Sequence, residues 1–332
     1  MDATVAALLA PGKGLLAADE SFPTIAQRFE EIGLPSTADN RRAYRELLFT
    51  TPGLAAFISG VILFDETLRQ RTTAGEPLPE LLNRLGLIPG IKVDTGTVAL
   101  PNFPGEKMTQ GLDGLRDRLI EYHQLGARFT KWRAVLAIGK DQPSPACLAT
   151  NARALALFAA LSQEAGLVPI VEPEILMDGA HSLAQCEAVT RATLETVFAA
   201  LATHRVRLEH LLLKTNMVLA GDSCPAPAGL AEVAAATVRC LRRSVPPAVP
   251  GIVFLSGGQS AEAATARLRA ICAEPRPAWT LSFSFGRALQ TPALLAWRGQ
   301  PGNLPAAQAA LQQCAQANSL ALEGGKAGDG ES

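Results

Sequence analysis

Eight short runs rich in Val, Ile, Leu and Phe recur along the whole chain, at 15–19, 58–64, 90–94, 129–136, 169–175, 211–217, 251–257 and 279–285. Each is bounded by Gly, Pro or polar residues and reads as a strand. Between them lie longer stretches of helical period, at 113–127, 146–166, 183–203, 231–245 and 260–274. Strand–helix alternation of this kind is the pattern of a parallel sheet joined by helical crossovers. Eight such units within 332 residues favour an α/β fold of the closed (β/α)8 TIM barrel type over an open doubly wound sheet. A dinucleotide-binding sheet would place G-x-G-x-x-G directly after a strand and at the start of a helix, whereas the nearest stretch, 12–14, precedes its strand. The expected organisation is one barrel domain over 1–324, with extra helices at 21–33 and 37–49 after the first strand and a long terminal helix at 303–324. The Gly- and charge-rich residues 325–332 read as a flexible tail.

Composition narrows the function classes. With 48% hydrophobic and 18% charged residues the chain can bury a large core. Its 30 basic and 31 acidic residues nearly cancel, so no global field draws it to nucleic acid or to an anionic membrane, and an anion would have to be captured by a local site. Cys147, Cys186, Cys224, Cys240, Cys272 and Cys314 form no CxxC pair, and the histidines form no HExxH cluster. Reduced thiols, no metal and no cofactor are therefore expected. The apolar run from Thr4 to Ala10 is short and follows no basic residue, unlike a signal peptide, and no stretch reaches the ~18 uninterrupted apolar residues of a membrane helix. Cytoplasm is the expected location.

Barrel strands are buried on both faces, so charged side chains within them need a reason. Lys92 and Asp94 fall in the third run, Lys131 and Arg133 in the fourth, Glu172 and Glu174 in the fifth and Lys214 in the sixth, while Asp19 closes the first, with Glu20 beside it. Side chains two apart share a strand face, so each pair points the same way, and one face of a barrel strand is the interior. A single lysine at a strand end would read as an ordinary solvated ion pair. Repetition over several strands reads instead as a catalytic cluster at the C-terminal mouth. Crowded cations and partial desolvation both disfavour the charged form of an amine, which would supply a nucleophile able to attack a ketone. Lys214, ending the run Leu211, Leu212, Leu213, is the expected nucleophile, with Lys131 facing it. Glu172, between Val171 and Pro173, is expected to have a raised pKa suited to proton shuttling.

The seventh and eighth runs end in SGGQS at 256–260 and SFGRAL at 284–289. Small residues before a helical start expose backbone N–H groups, and barrels often bind phosphate at these two loops. Gly257 and Gly258 permit close backbone approach, and Arg287 adds a fork of donors. His123, His181, His204 and His210 fall in helical or connecting stretches and read as surface or half-buried residues without a catalytic role.

These motifs resemble the class I fructose-bisphosphate aldolases. The matching stretches include GKGLLAADES at 12–21, GVILFDETL at 60–68, KWRAVLAIG at 131–139, VPIVEPEIL at 168–176, LLLKTNMV at 211–218, FLSGGQS at 254–260 and LSFSFGRALQ at 281–290, in family order over nearly the entire chain. The resemblance implies a metal-independent lyase of glycolysis and gluconeogenesis, with Lys214 as Schiff-base lysine, Glu172 as acid/base, Lys131 as a neighbouring assisting charge, Asp19 as base for the 4-hydroxyl and Glu174 as a supporting carboxylate. It places Ser256, Gly257, Gly258, Ser284, Gly286 and Arg287 at the substrate's 1-phosphate, and Ser21, Thr24, Arg28, Lys92 and Arg133 at its 6-phosphate. It further implies a homotetramer whose partner is a small sugar bisphosphate. Two other readings stay open from the residues: a related Schiff-base aldolase or transaldolase for another phosphorylated sugar, and a catalytically silent scaffold. Gln27, Thr95 and Ala137 stand where lysines are common in animal and plant members, and Phe285 where tyrosine is common. Vertebrate-type members end in a tyrosine used in enamine protonation, whereas the tyrosines here are Tyr44 and Tyr122 and the sequence ends in Glu331 and Ser332. Slow enamine protonation is the corresponding expectation.

Overall fold

Strand parity divides the barrel interior into an apolar floor and a charged mouth. The computed structural model describes residues 1–275 and 278–324, so the tail expected at 325–332 lies outside the described residues. The strands are β1 (Gly14–Ala18), β2 (Ile58–Leu63), β3 (Ile88–Lys92), β4 (Gly96–Ala99), β5 (Lys107–Gln110), β6 (Phe129–Leu136), β7 (Val168–Ile175), β8 (Leu212–Thr215), β9 (Gly251–Phe254) and β10 (Thr280–Phe285). Eight of them close into a parallel barrel in the order β1-β10-β9-β8-β7-β6-β3-β2, and these are the eight expected from the sequence. The antiparallel hairpin β4–β5 was not expected. It is largely exposed and is held to the barrel where Thr109 Oγ1 donates to the Arg133 carbonyl at 2.8 Å.

Around the barrel the helices are α1 (Asp2–Leu8), α2 (Phe22–Glu30), α3 (Ala38–Phe49), α4 (Asp65–Arg69), α5 (Leu78–Arg84), α6 (Leu115–Gln124), α7 (Pro145–Glu164), α8 (Leu183–Thr203), α9 (Leu230–Ser244), α10 (Ala261–Ala273), α11 (Arg287–Trp297) and α12 (Leu304–Ala321). Local chemistry starts several of them. Ser144 and Ser260 each accept a backbone N–H three residues on, and Ser182 and Gln185 close a reciprocal capping box. By length and composition α7 could cross a membrane, but here it packs on β6, β7 and α8. The extra pair after β1 and the long terminal helix appear as expected; α1, α4 and α5 were not foreseen, and of α11 only the start was.

Leu15, Ala17, Ile62, Phe129, Val168, Ile170, Leu212 and Val253 meet inside the barrel and pack against Val5 and Leu8 of α1, which plugs the bottom. Their alternate neighbours, such as Leu16, Val61, Ile91, Trp132, Val171, Leu213 and Phe254, face the helices in the outer core. Phe285 belongs to that outer layer, its ring centroid 5.3 Å from that of Phe283. Continuing the inward parity past the floor brings Asp19, Lys92, Lys131, Glu172 and Lys214 into the mouth.

Phe129 fits because Gly90 on the adjacent β3 and Gly60 on β2 carry no side chain. A Cβ at Gly90 would lie 2.3 Å from its ring. Gly90→Ala should therefore cost about 1–3 kcal/mol by overpacking, read as a lower urea midpoint, and Phe129→Leu in the same chain should recover part of the loss. A Gly90→Ala chain as stable as its parent would show that the floor yields.

Candidate active site

Three buried charges, Lys131, Glu172 and Lys214, form a continuous chain with the half-buried Asp19 above the floor. Lys131, from the middle of β6, places Nζ 2.6 Å from Asp19 Oδ2 and 3.2 Å from Glu172 Oε2. The other oxygen of Glu172 lies 3.0 Å from Lys214 Nζ on β8. Toward the mouth, Lys92 Nζ meets Asp94 Oδ1 at 2.6 Å, and Arg133 Nε meets Glu174 Oε2 at 2.6 Å. Asp94 is not part of β3, which ends at Lys92, and its carboxylate also accepts from the backbone N–H groups of Gly96 and Arg133, each at 3.2 Å. Each ion thus has a counter-ion, as burial in low dielectric requires.

This alternation reverses the expectation for Glu172. Burial by itself would raise the Glu172 carboxyl, but Lys131, Lys214 and Arg133 outweigh it and hold the group below its ordinary value. Asp19 is likewise held well below the carboxylate range by Lys131, Lys214 and Lys92 against the effect of burial. Lys131 moves the other way: burial would lower it, yet Asp19, Glu172 and Asp94 keep it above the usual lysine range. Cations crowd in the sequence, but in space a carboxylate stands between Lys131 and Lys214.

The cluster opens into a cavity of about 1130 Å³. Its wall includes all the residues expected at the site except Gly258, which lies just behind: a Cβ there would be 3.8 Å from Arg287 Nη2. On one side Ser21 precedes α2, its hydroxyl 3.1 Å from that of Thr24, and Arg28 lies on the last turn of the same helix. On the other side the chain leaves β9 through Ser256, Gly257 and Gly258, with φ of +42° and +83° at the two glycines, a conformation that L side chains rarely adopt. Ser284 stands near the end of β10, and the chain leaves that strand through Gly286, with Arg287 opening α11. Ser284 Oγ is buried and has no hydrogen-bond partner. Gln27 and Thr95 also line the wall, as do Arg69, Arg118 and Tyr122 from elements that the sequence did not assign to a site.

Glu20 also lines the cavity; it is buried and paired to Arg28 and Arg45. His181 and His210 are buried rather than half-exposed; neither lines this cavity, and His210 Nε2 lies 2.7 Å from Asp2 Oδ1 beneath the barrel. The six cysteines are unpaired, three buried and three half-buried.

Residues 1–332 match the family model described as fructose-bisphosphate aldolase class-I. A probable fructose-bisphosphate aldolase class 1 of Xanthomonas axonopodis is 53% identical over 322 residues, covering 97% of this chain and 96% of that one. Fructose-bisphosphate aldolase 5, cytosolic, of Arabidopsis thaliana is 54% identical over 326 residues, covering 96% and 90%. The solved structure of fructose-bisphosphate aldolase from Plasmodium falciparum, in complex with TRAP and a small-molecule inhibitor, superposes with a TM-score of 0.96 at 51% identity, covering 97% and 94%. The chain belongs to the class I fructose-bisphosphate aldolase family and is an aldolase of the barrel type.

The depressed carboxylates set an acid limit. Unfolded Asp and Glu titrate near about 3.9 and 4.3, so the unfolded chain takes up protons first as pH falls, and stability present above that range is lost toward the lower native values. The melting temperature should drop on acidification below about pH 4.5, and Asp19→Asn should flatten that drop. An unchanged acid slope in this variant would remove Asp19 from the explanation.

Proposed function

We propose that this aldolase cleaves fructose 1,6-bisphosphate reversibly to dihydroxyacetone phosphate and glyceraldehyde 3-phosphate through a Schiff base on Lys214, without metal, in glycolysis and gluconeogenesis. The observation that carries the reading is the placement of Glu172, one oxygen on Lys214 and the other on Lys131. A carboxylate 3.0 Å from the ammonium is within range to take its proton, leaving an amine that adds to the ketone at carbon 2. The carbinolamine then loses its hydroxyl as water, with the proton returned from Glu172, to give an iminium.

Asp19 takes the proton of the 4-hydroxyl. The bond between carbons 3 and 4 breaks, its electrons enter the iminium to form an enamine, and glyceraldehyde 3-phosphate departs. Protonation at carbon 3 and hydrolysis by water release dihydroxyacetone phosphate and regenerate Lys214. Lys131, held charged between Asp19 and Glu172, keeps both carboxylates aimed at these steps. Glu174 supports the site by fixing Arg133. Backbone at 256–258, Ser284, Gly286 and Arg287 receive the 1-phosphate, while Ser21, Thr24, Arg28, Lys92 and Arg133 receive the 6-phosphate.

The cytosolic Arabidopsis relative supports a cytoplasmic location. The family resemblance supports a homotetramer built from barrel domains spanning 1–324.

Borohydride reduction in the presence of substrate, followed by peptide mapping, should place the adduct on Lys214; an adduct on Lys131 or Lys92 would overturn the assignment. Arg287→Ala should lose about 1.5–3 kcal/mol of transition-state binding, seen mainly in kcat/KM for the bisphosphate. Full retention of kcat/KM would mean that the phosphate loop is misassigned. EDTA should leave the rate unchanged, and inhibition reversed by zinc would contradict the metal-free route.

A further inference from the structure

Directly after Asp19, Glu20 turns away from the reacting cluster into a second, smaller knot of charge. Its carboxylate meets Arg28 Nη1 through Oε1 and stands 2.7 Å from Arg45 Nη2 through Oε2. Gln290 Nε2 donates to Glu20 Oε1 at 2.9 Å and to the Ala17 carbonyl at 2.7 Å. One buried carboxylate thereby ties the exit of β1 to α2, α3 and α11, and α11 is the helix that begins at Arg287. Burial would raise the Glu20 carboxyl, but the two guanidiniums outweigh it and keep the group charged.

The arithmetic of this knot differs from that of the other pairs at the mouth. Asp94 and Glu174 each pair with a single side-chain cation, Lys92 and Arg133, so drawing that cation away would leave a carboxylate without a counter-ion. Glu20 has two. Arg45 is enclosed, its side chain 3% exposed, whereas that of Arg28 is 16% exposed and borders the cavity beside Ser21 and Thr24. A phosphate entering there can take Arg28 while Arg45 continues to neutralise Glu20. We propose that Glu20 is a positioning residue that competes with the substrate's phosphate for Arg28, and that Arg45 makes the exchange reversible by remaining behind. The binding strength of that end of the cavity is then set by the Glu20–Arg45 pair, which does not itself touch the substrate.

The inference rests on the aldolase reading above and makes a prediction of opposite sign for two substitutions. Glu20→Gln frees Arg28 and should lower both the KM for fructose 1,6-bisphosphate and the inhibition constant of inorganic phosphate, by roughly five- to tenfold. Arg45→Met leaves Arg28 as the sole partner of Glu20 and should raise both by a similar factor, while Arg45→Lys, which keeps the charge, should return them toward the parent values. A purely structural role would instead lower kcat and melting temperature in both variants, with no opposed change in KM. Should Glu20→Gln fail to fold, Arg45→Met alone decides: an unchanged or lowered KM overturns the proposal. Borohydride trapping on Lys214 in the same proteins separates the two layers. Loss of trapping in the parent protein defeats the aldolase reading, and intact trapping without opposed KM shifts defeats the role of Glu20.

Discussion

A charge enclosed in a β-barrel has to bring its counter-charge with it, because moving an ion out of water costs several kcal/mol even after relaxation. The mouth of this barrel answers that constraint with the chain Asp19, Lys131, Glu172, Lys214, in which Lys131 is held by Asp19 and Glu172, and Lys214 by Glu172. The β6–β7 pairing supplies its two central members, Lys131 and Glu172. Its register sets Lys131 opposite Ile170, Arg133 opposite Glu172 and Val135 opposite Glu174, so Lys131 and Arg133 reach diagonally to Glu172 and Glu174. Below them, Phe129 and the α1 plug keep water from the bottom of the barrel. Apolar floor and charged mouth are consequences of one alternation along the same strands.

The cavity edges follow from what the ends of those strands must do. On the β9 side, Gly257 and Gly258 take positive φ and turn the backbone ahead of α10, and on the β10 side Gly286 precedes Arg287 at the start of α11. On the β1 side, the chain passes from Asp19, paired with Lys131, to Glu20, paired with Arg28 and Arg45, in a single residue, and that step flips from interior to surrounding helices. Gln290 closes the circuit by joining Glu20 to α11. Both proposed phosphate ends are thus mechanically tied to β1 rather than carried on independent loops.

Alternation of apolar runs with helical periods suffices to reveal the eight barrel strands, and spacing by two suffices to gather the charged residues on one face. The limits are equally physical. The apolar flanks of Glu172, Val171 and Pro173, suggested a raised pKa, but Val171 points to the outer core, so chain neighbours say nothing about what faces the carboxyl. What faces it comes from β6 and β8, dozens of residues away. The run Thr4 to Ala10 looked like an unassigned apolar stretch because its partner, the barrel floor, exists only after the strands close. The hairpin β4–β5 is mostly exposed and carries no strong apolar alternation, and Glu20 is hidden by its neighbour Asp19.

The central claim is that Glu172, shared between two lysines, moves the proton that frees Lys214. Its most direct test is the rate of imine formation in Glu172→Gln, measured by rapid mixing with fructose 1,6-bisphosphate and borohydride quench, with the melting temperature recorded alongside. The account predicts a folded protein in which trapping on Lys214 slows by about 10²- to 10⁴-fold, the effect of removing a positioned acid/base. Imine formation at the parent rate in a folded Glu172→Gln protein would contradict it and move the proton transfer to another group.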